Sequence, residues 1–222
     1  MQIYDTGKPV VLGFATPIFR YVWPEAETTP LNTALKAEVL ARRERSSGTT
    51  ISNVGGWQST DDLMSWDLPE LERLKEWINR AYGAIMFAEL GIEKFHSNFT
   101  VAAWANVNES GDYNRSHTHA NNHWSGVYYV DLGKPDPAIK PNGAIELIDP
   151  RSAISVQTLP GVDAPSTWTI QPRPGTMLMF PSWLRHSVLP YFGEGPRISI
   201  AFNLLVRDIS PAKPEHQDQG AK

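Results

Sequence analysis

The chain has 222 residues, no cysteine and a formal net charge of −4. Without thiols, disulfides and thiolate chemistry are excluded, and any bound metal must rest on imidazole or oxygen donors. The mild negative charge gives no general attraction to nucleic acid or anionic lipid, and no segment approaches the run of roughly 20 apolar residues that a membrane span requires. A cytoplasmic protein with neither a nucleic-acid nor a membrane partner is expected. The length fits one domain, taken as residues 1–209, with 210–222 expected to form a polar, disordered tail.

Residues 9–23 are apolar and β-rich but broken by Pro17, and read as one or two early strands. From Leu31 to about Arg45 there is no Pro or Gly, and Leu35, Val39 and Leu40 fall at helical spacing, which predicts a first helix. Residues 48–66 read as a loop. A second helix has Pro69 in its first turn, an apolar stripe of Leu71, Leu74, Ile78, Tyr82 and Ile85, and Gly91 as its stop. These two helices make a buttress over about 30–91.

Beyond Phe95 the pattern turns to short strands: Phe99 to Val107, Trp124 to Leu132, Ala144 to Ile148, Trp168 to Gln171, Thr176 to Phe180 and Arg197 to Val206. With 16 Gly and 18 Pro, such a series closes most simply into a double-sheeted jelly roll. The fold class is therefore mainly β with N-terminal helices.

His117 and His119 stand two apart, so on an extended strand they share a face. His186 follows an apolar strand and would sit at a strand end. Three converging imidazoles suit iron, zinc, copper or nickel; the plainer alternative is polar residues on an exposed strand. Arg197 opens the run Arg-Ile-Ser-Ile-Ala-Phe-Asn, whose alternation sets Arg197, Ser199 and Ala201 on one face. A guanidinium and a hydroxyl together can clamp a carboxylate; the plainer alternative is an Arg197 paired with a structural acid such as Glu194.

Five segments, taken together and in order, resemble the 2-oxoglutarate/iron(II) oxygenase superfamily, in particular a bacterial and phage branch distantly similar to the prolyl hydroxylases. They are His117-Thr118-His119, Trp124 to Val130, Asp149-Pro150-Arg151, Phe180 to His186 and Arg197 to Asn203. Thr16 to Phe19 and Gly55 to Ser59 extend the likeness towards the N-terminus. The resemblance implies a double-stranded β-helix (cupin-like jelly roll) that couples 2-oxoglutarate decarboxylation to hydroxylation of an unknown substrate, with ascorbate as a reductant in vitro. His117, His119 and His186 would be the catalytic metal ligands, holding Fe(II). Arg197, Ser199 and Tyr129 would bind the cosubstrate 2-oxoglutarate, and Asn106 or Asn108 could reach the cosubstrate or a metal-bound water.

The superfamily's usual carboxylate, in His-X-Asp or His-X-Glu, is replaced here by His119. Either three neutral imidazoles hold the ion, or an acid from elsewhere completes the site, with Asp112 and Glu146 as donors. His123 is expected in a pocket or solvent-facing loop, His96 and His216 carry no pattern, Trp104, Trp124 and Trp183 could wall the pocket, and Arg151 could touch substrate. Two rival functions remain open: a non-catalytic metal- or ligand-binding jelly roll, and a three-histidine cupin-like enzyme working without a 2-oxo acid. The substrate, small molecule or peptide, and the oligomeric state are not legible.

Overall fold

A computed structural model describes residues 14–151 and 166–211. Residues 9–13 of the early strand region, His216 and residues 212–222 of the expected tail lie outside them. The described elements run β1 (Phe19–Val22), α1 (Glu25–Arg45), β2 (Asn53–Val54), β3 (Trp57–Gln58), a 3₁₀ turn (Leu63–Ser65) and α2 (Leu71–Leu90). Strands β4 (Phe95–Asn108), β5 (Tyr113–His117), β6 (Trp124–Asp131), β7 (Lys134–Pro135), β8 (Ile145–Ile148) and β9 (Thr167–Ile170) follow. The series ends with β10 (Thr176–Pro181), β11 (His186–Val188), β12 (Gly193–Glu194) and β13 (Arg197–Pro211).

A six-stranded sheet in the order β1-β10-β6-β13-β4-β3 faces a five-stranded sheet in the order β2-β5-β11-β8-β9, and β12 and β7 form a separate two-stranded sheet. All pairings are antiparallel. This is the jelly roll that the strand pattern predicts. Its longest pairing, β4 with β13, runs from Arg197 opposite Asn108 to Pro211 opposite Phe95.

Period-two alternation gives the large sheet two different faces. The outward face, with Ile198, Ile200, Phe202 and Leu204 of β13 and Ala103, Ala105 and Val107 of β4, packs under the helices in one apolar core. From α1 that core takes Leu31, Leu35 and Val39; from α2 it takes the whole predicted stripe, all buried. Trp23 stacks on Trp77 with ring centroids 4.4 Å apart, fixing the chain after β1 to the middle of α2. A second, smaller core lies between the sheets, built from Tyr129, Ile145, Leu147, Ile170, Leu178, Phe180 and Leu184. Gly126 is required by close approach: a Cβ there would overlap the Phe202 ring and lie 2.6 Å from the Leu178 carbonyl oxygen.

Several boundaries differ from the sequence reading. Helix α1 begins at Glu25 and passes through Pro30. A proline inside a helix removes one backbone hydrogen bond, and the Thr28 and Thr29 hydroxyls donate to the Glu25 carbonyl in the same turn. Pro69 precedes α2 rather than occupying its first turn, whereas Gly91 does end it at φ 65°, its N–H on the Phe87 carbonyl. The expected loop over 48–66 contains two 2-residue strands, β2 and β3, held by β5 and β4 respectively. Strand β13 continues through Ser210 and Pro211, which had been assigned to the tail. Among the described residues, no helix is long and apolar enough to cross a membrane.

Candidate functional site

Two strands of the small sheet bring the histidines together. His117 ends β5 and pairs directly with His186, which begins β11; their ring centroids are 4.3 Å apart. His119 lies just past β5, and its backbone N–H donates to the Ser182 carbonyl at 3.0 Å, tying it to the turn that leads into His186. The ligating nitrogens of all three lie within 4.8 Å of one another, close enough to converge on one ion. Among the described residues this is the one such cluster.

Two of the rings are oriented by backbone carbonyls. His117 Nδ1 meets the Arg115 carbonyl at 2.6 Å and His186 Nδ1 meets the Leu184 carbonyl at 2.9 Å. The tautomer that donates from Nδ1 leaves Nε2 as the free lone pair, the usual way a protein aims an imidazole at a metal. The His119 ring instead rests against Trp104, 5.7 Å between centroids. Burial pulls the His186 pKa down to about 3 and that of His119 to about 4, with His117 nearby adding to both, and burial lowers His117 as well. All three are therefore neutral near pH 7, the form a metal binds.

The large sheet supplies the opposite wall. Arg197, Ser199 and Ala201 face inward from β13, Trp104 and Asn106 from β4, and Ser125, Val127 and Tyr129 from β6, all lining one central cavity with the histidines. Arg197 is 2% exposed. Its Nε donates to the Gly143 carbonyl at 3.1 Å, Nη1 donates to Asn108 Oδ1 at 3.4 Å, and its guanidinium carbon lies 5.2 Å from the Tyr129 ring centre. Glu194, the alternative partner, is exposed and lies nearest Lys134. Among the described residues Arg197 forms no ion pair, and burial lowers its pKa.

A buried charge without a counter-ion is costly unless something of opposite sign joins it. The Tyr129 hydroxyl beside it is also buried without a hydrogen-bond partner. Burial pushes that phenol up to about 12, so it stays a neutral donor. The chemistry of this wall fits a carboxylate, and that of the facing histidines fits a divalent cation. The cavity of about 50 Å³ takes an ion as it stands, while a five-carbon diacid requires lining side chains to open, a common adjustment on binding.

The structure corrects several assignments. Asp112 is taken up by its own turn, accepting the Glu109 N–H at 2.7 Å. Glu146 faces away from the cavity, because its neighbours Ile145 and Leu147 point inward; it accepts from the Ser187 hydroxyl at 3.2 Å. Neither acid completes the histidine set. Asn108 does not line the cavity but accepts from Arg197, whereas Asn106 does line it. His123, expected in a pocket or facing solvent, is exposed, and its Nδ1 accepts the Val206 N–H at 3.1 Å where β13 carries a bulge. Of the tryptophans, Trp104 walls the central cavity, Trp124 belongs to the helix-facing core, and Trp183 lines an outer groove of about 580 Å³. That groove includes Leu147, Arg151, Trp168 and Leu184 and abuts the His186 strand; Arg151 makes a bidentate pair with Asp149.

Sequence reasoning missed Asn114 and the Ser125-Ser182-Asn203 cluster. Asn114 lines the cavity although it differs in parity from His117, because the register shifts between the pairs His186 with His117 and Val188 with Asn114. The Ser125 hydroxyl lies 2.8 Å from that of Ser182 and donates to Asn203 Oδ1 at 2.7 Å. Its signal was present in the alternation with Tyr129.

Residues 102–203, which contain every residue of this site named from the sequence, match the family described as "Putative 2OG-Fe(II) oxygenase". No curated protein matches the sequence. Among solved structures, a Pseudomonas putida prolyl-4-hydroxylase is similar over 86% of this chain and 93% of its own, with TM-score 0.57 and 18% identity. A Trichoplax adhaerens prolyl hydroxylase in complex with a hypoxia inducible factor peptide fragment is similar over 86% and 83%, with TM-score 0.58 and 13% identity. A non-heme alpha ketoglutarate dependent carbocyclase from nogalamycin biosynthesis is similar over 91% and 85%, with TM-score 0.58 and 13% identity. At these identities the structures establish the fold. The matched segment, a little under half of the chain, is thus similar to the 2-oxoglutarate/iron(II) oxygenases, and the solved structures agree with it in fold.

Proposed function

We propose that the protein is an Fe(II)- and 2-oxoglutarate-dependent hydroxylase whose metal rests on His117, His119 and His186. The observation that carries this is the pairing, across one cavity, of three neutral imidazoles with a buried, unpaired Arg197 and an unpartnered Tyr129 hydroxyl. When bound, iron would supply dioxygen activation, with 2-oxoglutarate oxidised to succinate and carbon dioxide as a substrate C–H bond is oxidised.

The protein's own part is binding and orientation. Arg197, aimed by Asn108 and the Gly143 carbonyl, would hold the distal carboxylate through paired N–H donors. Ser199 and Tyr129 would add hydroxyl donors from the neighbouring strands. Asn106, on the next strand, would contact the cosubstrate end nearer the metal. Phe180 and Ile145 add apolar surface to the cavity lining. The outer groove beside Leu147 and Leu184, walled by Trp168 and Trp183, would receive a small molecule or peptide substrate. A cytoplasmic location suits this reading.

Purified protein supplied with Fe(II), ascorbate and 2-oxoglutarate is expected to release succinate slowly without added substrate, and His186→Ala to release none. No succinate, together with no thermal shift on adding N-oxalylglycine across several divalent metals, would overturn the proposal. The carboxylate-free ligand set favours a second reading, a three-histidine metal enzyme that uses no 2-oxo acid. Under it, Arg197→Ala would leave metal-dependent chemistry intact.

A further inference from the structure

A guanidinium clamps a carboxylate best when it is already held in place, because ordering a long side chain on binding costs affinity. Among the described residues Arg197 has one main-chain anchor, the Gly143 carbonyl 3.1 Å from its Nε. Gly143 stands in the turn before β8 at φ 60°. A Cβ there would lie 3.1 Å from Arg197 Cδ and 3.2 Å from Nε, so any shift of this turn is felt by the arginine.

The turn is held by Asn142, which is 4% exposed and does not line the cavity. Its side chain forms a two-way amide pair with the Phe192 backbone: Nδ2 donates to the Phe192 carbonyl at 2.7 Å, and Oδ1 accepts the Phe192 N–H at 2.8 Å. Nδ2 also reaches the Asp136 carbonyl at 3.3 Å. The Asn142 backbone makes a second pair with the Gln171 side chain, its N–H donating to Oε1 at 3.1 Å and its carbonyl accepting from Nε2 at 2.8 Å. On either side of the Gly143 carbonyl the chain is pinned to the segment after β11, by the Gly143 N–H on the Pro190 carbonyl and by the Leu189 N–H on the Ala144 carbonyl. Only a short planar amide presents a donor and an acceptor in this way. Alanine at 142 would leave a peptide N–H and two carbonyls without their partner.

We propose that Asn142 is a positioning residue for the cosubstrate: acting through Gly143 and Arg197, it sets the aim of the guanidinium at the distal carboxylate while touching no ligand itself. The inference rests on the 2-oxo-acid reading of the cavity.

The full chain loaded with cobalt(II) is titrated with N-oxalylglycine, and the visible cobalt absorption is followed in a double-mutant cycle. Asn142→Ala is expected to weaken N-oxalylglycine about tenfold and to leave cobalt affinity unchanged; introduced beside Arg197→Met, it should change N-oxalylglycine affinity less than about twofold, because its effect passes through the arginine. Where Asn142→Ala fails to fold, Gln171→Ala, at an exposed position, is expected to cost about threefold with the same dependence on Arg197. Unchanged affinity in the single variant, an equal loss of cobalt affinity, or the full loss repeated beside Arg197→Met overturns the proposal and leaves the oxygenase reading standing. Failure of the wild-type chain to bind cobalt or N-oxalylglycine overturns both.

Discussion

The two faces of β13 belong to one strand yet do opposite work. Facing the helices, Ile198, Ile200, Phe202 and Leu204 are buried in one core with apolar residues from two helices and four other strands. Facing the small sheet, Arg197, Ser199 and Asn203 are equally buried, yet each carries polar atoms whose partners are few. The first face stabilises the fold by removing apolar surface from water. The second leaves a cation inside the protein with neutral partners alone among the described residues, a placement that the proposed diacid would balance. Scaffold and site are thus separated by a single residue step, and substitutions on the two faces should have separable effects.

The largest effect is expected from the helix face. Phe202→Ala should lower unfolding free energy by about 3–5 kcal/mol, measured by urea denaturation, while iron affinity of the folded fraction stays the same. An equal loss of iron affinity would break the separation. On the cavity face, Arg197→Met should weaken 2-oxoglutarate binding about 100-fold, or about 3 kcal/mol, read by titration of the metal-loaded protein. Its melting temperature should hold or rise, because removing an unpaired buried charge relieves desolvation; a large fall would mean that Arg197 is structural. Ser199→Ala should cost about 1 kcal/mol of cosubstrate affinity, as for one hydrogen bond, with stability unchanged.

The most graded effect concerns pH. The histidines ordinarily titrate near 6.5, but in the fold His119 and His186 resist protonation until about pH 4 and about pH 3. The unfolded chain takes up protons first, so metal-free stability should be full above about pH 6.5 and fall as pH drops towards 4. Melting temperatures recorded from pH 7.5 to 4.5 test this. His186→Asn, which cannot titrate, should flatten the slope, and a flat wild-type profile would contradict the burial of the cluster.

Much of this division was legible in the sequence because strand alternation is strict. The alternation of Arg197, Ser199 and Ala201 against Ile198, Ile200 and Phe202 was readable from order alone, as were the α2 stripe and its Gly91 stop. What escaped depends on partners distant in sequence. Strands β2 and β3 are too short to carry a periodicity and exist only through pairing with β5 and β4. Asn114 enters the cavity only because of a register shift, which inverts parity locally. The exclusion of Glu146 follows from which face of β8 meets the interior, and the role of His123 from a bulge in a strand more than eighty residues away.

The backbone link from His119 to Ser182 reaches beyond geometry. Ser182 in turn donates its N–H to the His123 carbonyl at 3.0 Å, so the link from β5 to β6 and the link from β10 to β11 are stitched together by peptide groups. Peptide groups, and not only an ion, thus join the two segments that carry the trio. A prearranged, uncharged nitrogen trio also discriminates poorly among first-row divalent ions, whose intrinsic affinities rise towards copper. The occupant of the freshly synthesised protein would then be decided by the cell's metal supply, and iron reconstitution in a chelated, copper- and zinc-free medium becomes the proper starting point for measuring turnover.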